Sequence, residues 1–193
     1  MEDKNLYIIA GCNGAGKTTA SFSILPKILD CKEFVNADEI AKGISPFQPE
    51  KVAFEAGRIM LSRIDELFKN QESFAFETTL ATKSYKQKIK FAKANNYYTS
   101  LLFFWLKTPE LAKERVKVRV KEGGHNIPLD VIERRYKNGI KNLFNIYLDI
   151  VDQAMIFDNS EGKHILIAEK NLGEDIVIHH LDKFNELKKY YEN

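Results

Sequence analysis

The sequence has few of the features that mark secreted or membrane proteins. It contains only two cysteines, Cys12 and Cys31, which cannot form a disulfide framework. The longest apolar runs, 6–10 and 101–106, are far too short to span a bilayer. The sequence starts with Glu2, Asp3 and Lys4 instead of a basic stretch followed by an apolar one, so no secretory signal is predicted. We therefore expect a protein of the reducing cytoplasm without membrane association.

Neither sign of charge is in large excess. The chain has 29 basic and 27 acidic side chains, a net charge of +2. Binding nucleic acid over the whole surface needs a strong basic excess, so nucleic acid is an unlikely partner. Basic residues outnumber acidic ones between 107 and 135, which leaves a local cationic patch open.

Short apolar runs alternate with longer segments in which apolar residues recur every three or four positions. This alternation predicts an α/β fold, with a parallel sheet wrapped by helices, in one domain covering 1–193. Ligands of such sheets bind at the carboxyl ends of the strands. We predict buried strands at 6–10, 33–37, 74–76, 100–106 and 154–157, a sixth, edge strand at 164–168, and a closing helix at 174–191.

A phosphate-binding motif follows the first predicted strand. Residues 11–18, GCNGAGKT, match GxxxxGK[ST] at every position and precede a helical pattern. In such a loop glycines let backbone N–H groups approach phosphate, the lysine bridges the β- and γ-phosphates of ATP, and the threonine hydroxyl binds Mg²⁺. The alternative is a chance glycine-rich turn. The predicted nucleotide-binding residues are Gly11, Asn13, Gly14, Ala15, Gly16, Lys17, Thr18 and Thr19.

An acidic residue comes just after each of the next two strands. Asp38 follows the second strand, and Glu77 with Thr78 follows the third. At that edge of the sheet one carboxylate can accept the proton of an attacking hydroxyl, while another orients Mg²⁺. We assign Asp38 as the base and substrate contact, Glu77 to metal and substrate, and Thr78 to substrate. The alternative is that each acid only caps the following helix.

The loop at 43–49, directly after Asp38, contains two prolines and a glycine. Loops in this position can shape an acceptor pocket. A plain connection to the next helix explains the composition equally well.

Two helices joined by a glycine-containing loop predict a lid, an insertion at about 108–136. Thr108 and Pro109 form a good helix start. Arginines fit the charge that develops on a transferred phosphoryl group, and a closing lid excludes water. We expect Arg119 and Arg135 to be catalytic together with Asp38 and Lys17, with Arg115 and Arg134 as weaker candidates. A solvated basic helix pair is the alternative, and His125 is interpreted as a loop residue.

Residues 158–160, Asp-Asn-Ser, follow the fifth predicted strand. P-loop kinases commonly hold the nucleotide base at this place. The segment could contact adenine or form a simple turn, and the sequence does not separate these interpretations.

Taken together, these segments resemble the zeta-toxin family of P-loop kinases, in its compact branch often labelled predicted ABC-type ATPases. The resemblance extends from about Leu6 to Ser160. It implies a nucleoside-kinase-like three-layer fold with strand order 2-3-1-4-5, the use of ATP and Mg²⁺, and, for the toxin members, phosphorylation of UDP-N-acetylglucosamine and an antitoxin partner. It also places the base at Asp38. The motifs are GCNGAGKTT (11–19), NADEIA (36–41), FETTL (76–80), RVKEGGHNIP (119–128), IERRY (132–136) and FDNS (157–160).

Three other classes of P-loop protein are alternatives. A motor or ABC-like ATPase would be expected to carry an LSGGQ-type signature, and a regulatory GTPase an NKxD motif; the sequence has neither. A polynucleotide kinase would use a stripe of basic and aromatic residues, which is not evident, although the basic lid keeps this class open. The leading hypothesis is a kinase that phosphorylates a hydroxyl of a sugar nucleotide or a similar small molecule.

Overall fold

The computed structural model describes residues 4–121, 124 and 126–192. Within these residues one sheet has the strand order β2-β3-β1-β4-β5-β6-β7. The first five strands in this order are parallel, and β6 and β7 add to the β5 edge in antiparallel fashion. The strands are β1 (Lys4–Gly11), β2 (Phe34–Val35), β3 (Phe74–Thr78), β4 (Tyr97–Trp105), β5 (Gln153–Asp158), β6 (Ile165–Asn171) and β7 (Val177–Ile178).

Helices connect the parallel strands and cover the sheet. Two short 3-10 helices, Pro49–Val52 and Tyr147–Asp149, lie beside the α-helices. None of the helices in the described ranges is long and apolar enough to cross a membrane. The α-helices are α1 (Lys17–Lys27), α2 (Ala37–Ile44), α3 (Ala53–Lys69), α4 (Tyr85–Ala94), α5 (Pro109–Lys121), α6 (Leu129–Asn145) and α7 (Leu181–Glu192).

The central strands are buried on both faces, as their continuous apolar sequences predict. From Leu101 to Trp105, every residue of β4 is buried. In the register of the sheet, Ala10 pairs with Thr78 on one side and with Phe103 on the other. The carboxyl ends of β1 and β3 therefore lie side by side, which brings the phosphate loop next to Glu77.

The predicted parallel order 2-3-1-4-5 is confirmed, but the bounds of several elements differ. The second strand is only Phe34–Val35, because Asn36 already caps α2. The sixth strand runs to Asn171 and is not the edge, since β7 pairs outside it. The closing helix begins at Leu181 rather than at 174. The β-branched run Ile176, Val177, Ile178 favours a strand there.

A hydrogen-bond pair inside the core ties α6 to the end of β4. The Tyr136 hydroxyl accepts from Trp105 Nε1 at 3.0 Å and donates to the carbonyl oxygen of Leu106 at 2.6 Å. Tyr136 and Trp105 are each 1% exposed. Water therefore cannot replace the hydroxyl, and both partners depend on it.

We expect Tyr136→Phe to lower the free energy of unfolding by about 1–3 kcal/mol, because it leaves a buried donor and a buried acceptor unpaired. Urea unfolding measures the effect. Tyr98→Phe is the control, since Tyr98 is 46% exposed. An equal effect of the two substitutions would contradict the role given to the Tyr136 hydroxyl.

Candidate active site

The phosphate loop leads from the end of β1 directly into the first turn of α1. Gly16 is the N-cap of α1, with a left-handed φ of 80°, and no side chain caps the helix. The first turn of α1 carries no acidic residue. The N–H groups at this end, with the positive end of the helix dipole, are therefore suited to an anion such as phosphate.

At Gly14 the loop lies against the backbone of α5. A Cβ atom built on Gly14 would be 2.9 Å from the carbonyl oxygen of Ala112 and 3.2 Å from Cβ of Arg115. The φ of Gly14 is also +80°, which other residues rarely adopt. Only glycine fits here without moving α5 away from the phosphate loop.

Lys17 is held in place from two sides although it is only 6% exposed. Its Nζ donates to the carbonyl oxygen of Cys12 at 3.0 Å and lies 3.4 Å from Glu77 Oε1. The ammonium group thus points to the ends of β1 and β3, where a triphosphate bound to the loop would extend.

Glu77, Thr18 and Asn36 form a second set of contacts at the same edge. The Thr18 hydroxyl donates to Glu77 Oε2 at 2.7 Å, and Asn36 Nδ2 donates to the same oxygen at 2.9 Å. The contact of Asn36 Nδ2 with Thr18 Oγ1 is longer, at 3.4 Å. A hydroxyl and a carboxylate are hard oxygen donors of the kind that Mg²⁺ prefers, so Thr18 and Glu77 fit a Mg²⁺ ion. No cluster of three or more His, Cys, Asp or Glu side chains suggests another metal site in the described part of the chain.

The helix that carries Asp38 is capped by a different residue. Asn36 Oδ1 accepts from the backbone N–H groups of Asp38 at 2.8 Å and Glu39 at 3.4 Å. The side chain of Asn36 therefore caps α2, and the alternative role of Asp38 as a mere helix cap does not apply. Asp38 is half-buried, and its side chain faces the cleft region instead.

Two clefts meet at this edge of the sheet and share a wall. The first, of about 300 Å³, lies over the phosphate loop and is also lined by Arg115 and Arg119. The second, of about 230 Å³, is lined by Thr78, Tyr85 and Arg135 among others. The residues that line both are Asn13, Lys17, Asp38 and Glu77.

Six of the eight predicted nucleotide-binding residues line the first cleft. Gly11 and Ala15 do not. Gly11 is the last residue of β1, and Ala15 is fully buried. The N–H of Ala15 donates to the Cys12 carbonyl at 3.2 Å, and its carbonyl accepts from Asn159 Nδ2 at 2.7 Å. Thr78 lines the second cleft, where its hydroxyl accepts from the N–H of Leu80 at 3.1 Å.

The four arginines of the predicted lid are placed differently. Arg115 and Arg119 project from α5 into the first cleft. Arg135 lies in the second cleft and donates from Nη1 to Asn13 Oδ1 at 3.3 Å. Arg134 is exposed and lines neither cleft, so the structure does not bring it to the site. The glycine loop between α5 and α6 lies partly outside the described residues, and so does His125.

Burial and neighbouring charges act on Arg135 in opposite directions. Burial lowers its pKa, Asp38 raises it, and Arg134 lowers it again, with a net lowering from the ordinary value. The ordinary pKa of an arginine is so high that the Arg135 guanidinium keeps its charge. Asp38 and Arg135 therefore line the second cleft as neighbouring opposite charges.

Residues 158–160 serve to hold the site together. Asn159 Nδ2 donates to the carbonyl oxygen of Ala15 in the phosphate loop, and Arg115 Nη2 donates to the carbonyl oxygen of Ser160 at 2.7 Å. Asp158 is buried and forms an ion pair with Lys183 of α7. Burial alone would raise the pKa of Asp158, but hydrogen bonds from Lys183 and Ser160 outweigh it and lower the pKa. These contacts occupy the Asp158 carboxylate and Asn159 Nδ2, whereas the buried Asn159 Oδ1 has no hydrogen-bond partner among the described residues.

Cys12, inside the phosphate loop, is buried. Burial raises the pKa of its thiol to about 11, although Lys17 acts in the other direction. The reactive thiolate is therefore scarce at neutral pH. This agrees with the interpretation of Cys12 as a small, tolerated side chain rather than a redox switch.

Sequence reasoning missed Asn36 and the threonine-rich wall of the second cleft. Asn36 could have been found, because an asparagine followed by a short residue and two acids is a good N-cap signal. The wall residues Thr79 and Thr82 lie in the segment between β3 and α4, and Tyr85 is the first residue of α4. No local pattern marks them, because only the packing of α4 and α6 shows which of them line the cleft.

The fold and the phosphate loop together define a protein of the P-loop kinase-like type. The zeta toxin family model matches residues 1–171, and the chain belongs to this family. An uncharacterized protein of Haemophilus influenzae is 34% identical over 138 residues, which are 70% of this chain and 94% of that protein.

Solved structures show the same fold at low sequence identity. A structure of the PezAT chromosomal toxin-antitoxin system of Streptococcus pneumoniae has a TM-score of 0.69 at 15% identity, covering 100% of this chain and 80% of that chain. The AvrRxo1-ORF1:-ORF2 complex with ATP has a TM-score of 0.74 at 14% identity, covering 96% of this chain. This chain spans 63% of that longer one.

Proposed function

We propose that this protein is a kinase that transfers the γ-phosphate of ATP to a hydroxyl group of a small molecule, a sugar nucleotide such as UDP-N-acetylglucosamine or a similar metabolite. The observation that carries the proposal is the pair of clefts with a common wall. Asn13, Lys17, Asp38 and Glu77 line both clefts. A donor in one cleft and an acceptor in the other would meet at these side chains.

The first cleft is suited to the triphosphate. The uncapped end of α1 offers N–H groups, and Lys17 adds a buried positive charge. Bound Mg²⁺ would neutralise phosphate charge, and Thr18 and Glu77 are the residues that would hold it. The ATP complex of a structure with the same fold supports ATP as the donor.

The second cleft is suited to a polar acceptor. Its wall combines the hydroxyl groups of Thr79, Thr82 and Tyr85 with the guanidinium of Arg135. We propose that Asp38 takes the proton of the acceptor hydroxyl as the oxygen attacks phosphorus. Arg135 stabilises negative charge on the transferring group, and Arg119 does the same from the first cleft.

We also propose that α5 and the start of α6 act as the lid over the transferred phosphate. Arg115 is anchored by Ser160, so α5 is connected both to the phosphate loop and to the end of β5. Closure would exclude water and suppress hydrolysis of ATP without an acceptor. A PezAT toxin-antitoxin structure of the same fold supports an antitoxin protein as a further partner.

The proposal is tested by incubating the protein with γ-labelled ATP and a panel of UDP-sugars, nucleosides and 5′-hydroxyl oligonucleotides. We expect the label on a UDP-sugar or another small alcohol, with little hydrolysis when no acceptor is present. Brisk hydrolysis without any acceptor would instead indicate an ATPase coupled to a partner. Label on the oligonucleotides would indicate a polynucleotide kinase.

Asn36 links the proposed base to the proposed metal ligand, because one side chain caps the helix of Asp38 and donates to Glu77. We expect Asn36→Ser to lower kcat/KM by about 10–100-fold, as for other residues that orient a metal-binding side chain through a hydrogen bond. Serine is also a good N-cap, so stability should remain close to that of the wild type.

Asn36→Ala is the matched comparison, since it removes the cap as well. It should lose similar activity and, in addition, about 1 kcal/mol of stability. Steady-state kinetics and urea unfolding separate the two effects. Wild-type activity of Asn36→Ser would show that the amide contact with Glu77 is not needed.

A further inference from the structure

A large cleft lies at the opposite end of the sheet from the phosphate loop. Its volume is about 960 Å³, within the range of small-molecule sites. The walls come from the first residues of β1 and β4, from the end of α3 and from α4. The lining residues are Lys4, Asp65, Phe68, Lys69, Gln71, Gln87, Lys88, Lys90, Phe91, Asn95 and Tyr97.

The charge of this cleft is strongly positive. Four lysines line it against a single carboxylate, Asp65, which already pairs with Lys88 at 2.5 Å. Lys69 is the last residue of α3, where a cation also stabilises the helix C-terminus. Lys4 and Lys90 have no such explanation, and neither pairs with an acid among the described residues. They supply the charge that an anion would neutralise.

An aromatic surface lies between these lysines. The rings of Phe68, Phe91 and Tyr97 pack edge to face, with Phe68 at 5.2 Å from Phe91 and 5.4 Å from Tyr97. Phe91 remains 52% exposed. Rings with an open face stack on planar ligands such as nucleic-acid bases.

The hydroxyl of Tyr97, another residue of this cleft, lacks a hydrogen-bond partner among the described residues. Tyr97 is only 4% exposed. A buried hydroxyl without a partner costs free energy, so this side of the cleft carries a polar group that the fold itself leaves unsatisfied. Lys4 Nζ lies 5.1 Å from the centre of the same ring, so charge, ring and hydroxyl converge at one place.

We propose that this cleft is a second ligand site, separate from the P-loop, for a planar aromatic anion of nucleotide size. The ammonium groups of Lys4 and Lys90 would bind the anionic group, and Phe91 would stack on the ring. Gln87 and Asn95 also line the cleft with polar amides, although Asn95 Nδ2 already donates to the carbonyl oxygen of Phe91 at 2.8 Å. The two ends of the sheet would then bind different molecules.

AMP is the probe for this site, with adenosine and inorganic phosphate as its separate halves. Titrations are followed by NMR amide shifts in the Lys17→Ala protein, in which the P-loop grip on phosphate is weakened. We expect AMP to shift residues 87–97, and each half alone to bind at least about tenfold more weakly. Lys90→Glu and Phe91→Ser should each weaken AMP binding about tenfold or more, equal to about 1.4 kcal/mol.

Two variants serve as matched controls. Lys86→Glu changes a lysine of α4 outside the cleft, and Phe22→Ser changes an exposed phenylalanine of α1. Both should bind AMP like the parent. AMP shifts confined to the phosphate loop, or shifts at 87–97 that persist in Lys90→Glu and Phe91→Ser, would overturn the proposal.

A kinase assay on the same variants, this time with Lys17 intact, distinguishes the two sites. Lys90→Glu and Phe91→Ser should leave phosphoryl transfer within about twofold of the wild type, because no residue of this cleft lines the clefts at the phosphate loop. An inactive kinase with normal AMP binding at 87–97 would refute the proposed function and leave the second site standing.

Discussion

Asp38→Asn is expected to reduce phosphoryl transfer by about 10²–10⁴-fold, the range that a general base contributes. Asparagine has the same shape but cannot take the proton of the acceptor hydroxyl. Asn36, not Asp38, caps α2, so the substitution should leave the helix intact. ATP affinity, measured by titration calorimetry, should change by less than about tenfold, because Asp38 lies on the wall shared with the acceptor cleft.

Glu55→Gln is the control for this experiment, because it removes the same charge away from the site. Glu55 lies in the first turn of α3, is exposed and lines neither cleft. It should keep activity within about threefold of the wild type. A large loss of ATP binding in Asp38→Asn, rather than a loss of transfer, would assign Asp38 a structural role.

Arg135→Gln is expected to lower kcat by about 10²–10³-fold, the cost of removing one positioned donor at a transition state. Arg135 lies beside Asp38 in the second cleft and contacts Asn13 of the phosphate loop. The fall should appear in kcat more than in KM, because the charge that Arg135 opposes grows during transfer. Steady-state kinetics with saturating ATP measures it.

Its neighbour provides the control. Arg134 is exposed, lies on the same helix and lines neither cleft. Arg134→Gln removes the same charge and should stay within about twofold of the wild type. Equal losses in the two variants would indicate a general effect of basic charge on α6 and contradict a specific role of Arg135.

The sequence was most informative where chemistry requires a fixed local pattern. The phosphate loop could be placed to the residue because glycines, lysine and threonine each have a separate task there. Asp38 and Glu77 could be placed at the same edge because parallel strands bring their carboxyl ends together. Both carboxylates do line the shared wall.

Where the sequence fell short, the deciding factor was packing between distant segments. The sequence favours Arg135 over its neighbour Arg134 without a contact to explain the ranking, and the fold supplies one by placing Arg135 in the second cleft and Arg134 outside both clefts. The wall of Thr79, Thr82 and Tyr85 also depends on how α4 lies against the sheet. At the carboxyl end, the amphipathic pattern of the closing segment predicts a helix from 174, whereas the β-branched residues Val177 and Ile178 pair with β6.

The close fit of Gly14 to α5 has a consequence for how the molecule responds to its nucleotide. A methyl group at Gly14 would lie only 2.9 Å from the Ala112 carbonyl oxygen, so the loop and the backbone of α5 are close together at this point. A shift of the loop towards α5 on binding phosphate would therefore displace α5 directly, without the slack that a flexible side chain would allow. Arg115 and Arg119, carried by the same helix, would move with it as a rigid unit.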